Sequence, residues 1–365
     1  MGHKRVHESA AVWTIYHAID SETANPFQAY QATRYVDTAI PHIPVTAHGL
    51  KENGYATIAT TNWLPYSWSI NNVAFAEVMH TALSYFQAGR ADAGYKLLKS
   101  SVLDGMYLGD SPGNFGQISF YDAARGECYR DFGDPIGVAS RVLIQGLFGI
   151  LPDALNKQII LRPGFPADWD KASVSTPDIA IALPERRYGY LSYHTTVPDS
   201  SPSGIANQCQ KREDPFSKSE RCPCHMAKHR IGPWLSSSFN PGGRNIFNHH
   251  YHRMGRSTTS HVAVQEPVIT SNGKLALQIP SGASISQVYD PQSVLAKHTM
   301  GATAFNAQIK GEPGHHTFFV YTHQGEMDWW QPVNIYIENT RKAPPIQTLQ
   351  ISVPKNAGWL ILTDN

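Results

Sequence analysis

Residues 137–181 read GVASRVLIQGLFGILPDALNKQIILRPGFPADWDKASVSTPDIAI, and the fold turns on where this stretch changes character. With Pro135 and Ile136, its first part is an apolar run opened by a proline at a first-turn position, which predicts a helix over 135–149. Beyond residue 150 the pattern shifts. KQIILRPGFPADW and ASVSTPDIAIAL read as strands, with turns at Pro-Gly and Pro-Ala.

Upstream of this point the chain is helical in pattern. Residues 71–88 put Val73, Ala76, Met79, Leu83 and Phe86 on one face. Asn71 or Asn72 would cap that helix and Gly89 would end it. A second helix over about 91–103 follows a two- or three-residue connection, so the pair forms an antiparallel hairpin. Residues 26–37 open another helix with Pro26. The glycine- and aromatic-rich connection 104–134 has a length that loops reach when they carry function. Downstream, from about residue 261, the chain reads as all-β, with KLALQIP, GHHTFFVYTH, PVNIYIEN and GWLILTD as strands.

Bulk composition narrows the partners. With a formal net charge of +1, neither nucleic acid nor an anionic membrane is the expected main partner. Charged residues are only 16%, against 17 histidines and 17 tyrosines, a balance that suits a neutral polar ligand. No apolar run reaches the roughly 18 residues of a membrane-spanning helix, and no signal peptide is visible at MGHKRVHESAA.

Residues 209–256 break with both flanks, carrying nine Lys/Arg against three Asp/Glu and no clear period. They read as an irregular basic insertion. Cys209, Cys222, Cys224, His225 and His229 offer soft donors for zinc, but CxC is not the usual knuckle spacing. A disulfide from Cys209 and a plain solvated loop are the alternatives. No metal and no cofactor is assigned.

The chemistry expected is that of paired carboxylates. Cleaving a glycosidic bond takes one carboxyl to protonate the leaving oxygen and another to activate water or attack. Acidic residues crowd beside aromatics at Glu8 and Asp20, which flank WTIYH, at Glu77, and at Asp122, Glu127, Asp131 and Asp134 in the long connection. The aromatic turn TTNWLPYSWSINN (60–72) supplies Trp63, Tyr66 and Trp68 to stack on the apolar face of a sugar. Asn62, Asn71, Asn72 and Asn114 would bond its hydroxyls. Trp13, His17 and Tyr121 stand next to the carboxylates and complete the substrate-facing set.

The stretch 137–181 also resembles the end of the catalytic domain in six-hairpin, (α/α)6-barrel glycosidases, a group that includes cellobiose phosphorylases, α-L-rhamnosidases and related glucosidases. The residues that carry the likeness are Gly146, Leu147, Phe148, Gly149, Ile150, Pro152 and Asp153, then Ile160, Pro163, Pro166 and Trp169. NWLPYSWSINNVAFAE is similar to the loop that feeds an inner helix of such barrels. SFYDAARGECYRDFGD is similar to the loop that bears the catalytic base, with Tyr121, Asp122, Gly126 and Glu127 matching and Ser119 standing where those relatives have a glutamate.

The resemblance implies an α-plus-β chain, a partial (α/α)6 helical toroid followed by an antiparallel β-sandwich-like region. The toroid part would span 1–155, packing strands 156–208, the basic insertion 209–260 and the β module 261–365. It implies a glycoside hydrolase, or the C-terminal part of one from a bacterial carbohydrate-active protein, acting on an oligosaccharide or polysaccharide in the periplasm or outside the cell. By the same likeness, with WTIYHAIDS similar to the loop that holds the acid, Asp20 would be the acid and Glu127 or Asp122 the base; from their own setting beside aromatics, Glu8 is the other candidate acid and Glu77 the third candidate base. A polysaccharide lyase using His17, His80 or Tyr121, and a non-catalytic glycan-binding protein, are the alternatives. The sequence leaves the oligomeric state open.

Overall fold

A computed structural model describes residues 9–62, 73–108, 120–122, 127–129, 134–153, 158–161, 164–166, 168–169, 172–175, 180–187, 190–196, 227–228, 235–239, 247–252, 266–279, 281–301, 304–324 and 327–339. Within them the chain is a mixed protein of helices and mainly antiparallel sheets. Five α-helices precede most of the sheet: α1 (Val12–Asp20), α2 (Pro26–Ala39), α3 (Phe75–Gln87), α4 (Ala91–Val102) and α5 (Asp134–Arg141).

Local chemistry fixes several helix ends. Asn25 and Gln28 exchange side-chain and backbone hydrogen bonds of 3.0 and 2.9 Å, a capping box ahead of Pro26. Asn25→Ala should therefore cost about 0.5–2 kcal/mol, read from the midpoint of chemical denaturation. At the other end of the chain's central helix, Gly89 has φ +74° and donates to the Phe86 carbonyl, while Arg90 donates to that of Tyr85. These are the two bonds of a Schellman stop, and they reverse the chain into α4 as the sequence predicts.

The start of α3 differs from expectation. Its N-cap is Ala74, with no side-chain cap, and Asn71 and Asn72 lie outside the described residues. The reason is non-local. Val73 and Ala74 extend to pair with Tyr121 and Phe120, so the helix starts only at Phe75. Helix α5 is also shorter than the apolar run suggests, because Val142–Leu147 continues it as a π-helical segment. WTIYHAID lies within the helix α1, with Asp20 as its last residue.

Helix α3 is the centre of the helical core. Ten of its thirteen residues are buried. Its Phe86 ring sits among three glycines: a Cβ added at Gly94, Gly146 or Gly164 would lie 3.1, 2.6 or 2.5 Å from a ring carbon. Phe148, Phe165 and Trp169 continue the contact, with Phe165 edge-on to Phe148 at 5.3 Å and Trp169 edge-on to Tyr95 at 5.0 Å. The GLFG and PGF phrases of the opening stretch are thus the pieces that close over α3.

Strand pairs then take over. Ile150–Asp153 pairs antiparallel with Gln158–Leu161, and Ala172–Ser175 with Ala180–Arg187. Within the basic segment, Leu235–Phe239 pairs with Gln158–Leu161 and Phe247–His252 with Tyr190–Thr196, so parts of it join these sheets. Cys209, Cys222, Cys224, His225 and His229, considered for zinc, lie outside the described residues.

Two further sheets share one core near the C-terminus. One orders Val268–Thr270, Met327–Glu338, Gly314–Gln324 and Ala283–Tyr289; the other orders Lys274–Gln278, Ala304–Ile309 and Leu295–Met300. Alternation decides which side chain goes where. Phe318 and Val320 face the second sheet with Phe305 and Ile309, whereas Phe319 faces helix α2. There Phe27 meets Phe319 and Trp330 edge-on at 4.7 and 5.3 Å. Asn334 donates to the Tyr30 hydroxyl at 3.1 Å, and Arg34 donates to both oxygens of Glu266 at 3.0 Å. Phe27→Ala removes the apolar plug of this seam and should cost about 3–5 kcal/mol, measured by urea denaturation.

Candidate active site

The three residues of α3 that escape full burial are Glu77, His80 and Gln87. At about 100° per residue they fall within roughly 80° of arc. This stripe faces α1 and α5. The Tyr16 ring stacks on His80 at 4.6 Å, and Asp20 meets Gln87, so α1 runs in the same sense as α3. Asp134 acts on Glu77 near the helix starts and Arg141 meets Asp20 further along, so α5 shares that sense.

At the first-turn end, burial raises the Glu77 carboxyl above its ordinary value of 4.5. Its own backbone N–H and the nearby His17 oppose the rise, and the charge of Asp134 adds to it. Burial, with Glu77 and Asp134 beside it, pushes the Tyr16 phenol up to about 12. Burial lowers His80, and the Arg141 cation lowers it further. His17 is exposed, with its ring 4.5 Å from that of Tyr16.

The far end is built differently. Oδ1 of Asp20 accepts from Nη2 of Arg141 at 2.7 Å and from Nε2 of Gln87 at 2.9 Å. Arg141 also donates through Nε to Oε1 of Gln145 at 2.8 Å. These residues are the last of their helices: Asp20 of α1, Gln87 of α3 and Arg141 of α5.

The hairpin Phe120–Asp122/Glu127–Tyr129 joins the first-turn end through the backbone. Tyr121 pairs with both Val73 and Cys128, and Asp122 lies directly opposite Glu127. This places the Asp122 and Glu127 positions on a sheet that runs straight into α3, two residues before Glu77. Trp13 is half-buried and Asn62 exposed. Glu8, Trp63, Tyr66, Trp68, Asn71, Asn72 and Asn114 lie outside the described residues.

Tyr16, Gln87 and Arg141 are members of the cluster absent from the sequence-based set. A signal for them existed. Glu77, His80, Ser84 and Gln87 repeat at helical spacing in a helix that, Thr81 apart, is otherwise apolar, and Arg141 precedes Gln145 by one turn in a run with no other charge after Asp134. Among the described residues, no three His, Cys, Asp or Glu side chains form a metal-binding group, and no helix is long and apolar enough to cross a membrane.

The chain matches no protein-family model and no curated protein sequence.

Proposed function

We propose that the chain is a glycoside hydrolase, or part of one, that cleaves glycosidic bonds in an oligosaccharide or polysaccharide. The observation that carries this reading is the Glu77 carboxyl, half-buried and shifted up beside a second carboxylate at Asp134. A buried carboxyl biased toward its protonated form, with a second carboxyl close by, is the pairing that acid/base hydrolysis requires. Glu77 donates its proton to the glycosidic oxygen as the C–O bond breaks. A second carboxylate, from Asp134, Asp122 or Glu127, either takes a proton from the attacking water or attacks the sugar itself. The exposed His17 ring borders Glu77 and Tyr16. The common sense of α1, α3 and α5, with α2 and α4 as their hairpin partners, supports reading the helices as an arc of an (α/α)6 toroid, and a periplasmic or extracellular setting suits a polysaccharide substrate.

This assignment gives Glu77 the acid role that the family resemblance suggests for Asp20. The test is release of reducing ends from a panel of plant and host glycans by the full chain. Glu77→Gln should lower kcat by about 10²–10⁴. Binding without cleavage across the panel, unchanged by Glu77→Gln, would leave a glycan-binding protein instead.

One observation favours a second reading, a polysaccharide lyase. His80 is held toward its neutral, basic form beside the Arg141 guanidinium, an arrangement suited to abstracting a proton next to a uronate carboxylate. Appearance of an unsaturated uronate chromophore in the product would establish that reading over hydrolysis.

A further inference from the structure

We infer that Asp20 is a positioning residue: with Gln87 and Arg141 it ties together the C-terminal ends of α1, α3 and α5, and so holds Glu77 and Asp134 in register at the opposite end. This rests on the hydrolase reading for its catalytic consequence, and on geometry for the brace itself. A proton donor must carry a proton and present it to substrate. Asp20 is instead engaged within the protein, receiving two donors on one oxygen at 2.7 and 2.9 Å. The amide of Gln87 can face it only through its NH₂, since the other orientation would set two acceptors against each other. Its Oε1 is buried without a partner among the described residues, so no hydrogen bond to that oxygen competes with this orientation.

Position in the helix makes the same point. A carboxylate at a helix C-terminus opposes the helix dipole, so Asp20 has no local reason to end α1. Its reason is the Arg141 cation at the end of α5. The pair is partly shielded, with side-chain exposures of 36% for Arg141 and 25% for Asp20. Arg141 is in turn steadied by Gln145 one turn on, inside the π-helical segment that carries Gly146 onto Phe86. The brace therefore links the polar stripe to the most tightly packed point of the core.

The experiment compares the full chain with Asp20→Asn and Glu77→Gln on two substrates of the same sugar, a native glycan and a dinitrophenyl glycoside. The dinitrophenolate leaves without a proton. Glu77→Gln should lose about 10²–10⁴-fold on the glycan and far less on the dinitrophenyl glycoside. Asp20→Asn should lose up to about 100-fold, by the same factor on both, as expected of a misplaced site. Selective sparing of the dinitrophenyl glycoside by Asp20→Asn would overturn the inference and make Asp20 the donor.

A second readout needs no turnover. His80 is faced by Arg141, Asp20, His17 and Asp134, with Tyr16 stacked on its ring. Removing the Asp20 charge leaves Arg141 uncompensated, so the His80 titration followed by NMR should move further down in Asp20→Asn and stay in place in Asp20→Glu. An unmoved His80 in Asp20→Asn overturns the brace. If the wild-type chain cleaves nothing, the hydrolase reading fails while this titration still decides the role of Asp20. Should Asp20→Asn not fold, Gln87→Leu serves, with an equal loss on both substrates expected and a selective one contrary.

Discussion

Glu77→Gln is expected to give a protein that is more stable at neutral pH than the wild type and nearly inactive. The sign follows from the shift. Burial raises the folded-state value of Glu77 above 4.5, so the folded chain holds a proton that the unfolded chain has released between 4.5 and the raised value. Stability that depends on the neutral form is complete below 4.5 and is lost as pH rises through the folded value. A glutamine is neutral throughout and has nearly the same shape. The variant should therefore lack this fall in stability, and the difference from wild type should vanish below pH 4.5. Thermal melts across a pH series read it directly. A group that destabilises the fold it sits in, yet occupies the centre of a polar stripe, fits the trade between stability and activity. In the same series, His80 contributes with the opposite sign. Its folded value is lowered, so stability rises with pH up to about its ordinary 6.5.

Phe86→Ala is expected to cost about 3–5 kcal/mol, the upper range for a core truncation. The ring fills the space between α3, α4 and the π-helical segment, and three glycines approach it. The glycines allow a sharper test. The atoms nearest a methyl at Gly146 belong to side chains, Phe86 and Leu83, whereas one at Gly164 would also lie 2.6 Å from the Gly146 carbonyl oxygen. Gly146→Ala should be destabilising by about 1–3 kcal/mol alone and close to neutral in the Phe86→Ala background, where its methyl enters the vacated space. Gly164→Ala should remain costly in both, because removing the ring does not move the backbone. Double-mutant cycles by urea denaturation distinguish the two, and equal rescue at both positions would contradict this packing.

Helix content was legible where periodicity and punctuation agree. Pro26 and Gly89 mark ends that the structure places within a residue or two, and the shift to strands after residue 150 follows from the loss of helical period there. What the sequence hid depends on distant partners. Nothing local tells Val73 and Ala74 to pair with a strand nearly fifty residues later instead of starting α3. A π-helical segment has no signature in an apolar run whose period is read at 3.6.

The site divides the same way. Glu77 was visible as a carboxyl near aromatics, but its neighbours His17, His80 and Asp134 come from three helices, and only their common direction makes them one group. Asp20 reads as an acid from its sequence context. Its ion pair spans 121 residues, and no spacing rule announces a partner at that distance.

The seam of α2 has a consequence in time. Arg34 waits 232 residues for Glu266, and Tyr30 waits 304 for Asn334. At roughly 5–20 residues per second of synthesis, the face of α2 bearing Phe27 stands without its cover for roughly 12–60 s on every chain made. The nascent protein therefore has to survive as an incomplete body, its central helix already packed and one aromatic side still wet. Chains halted before residue 266 should be the species that chaperones hold, and those released after residue 338 the first that need no holding.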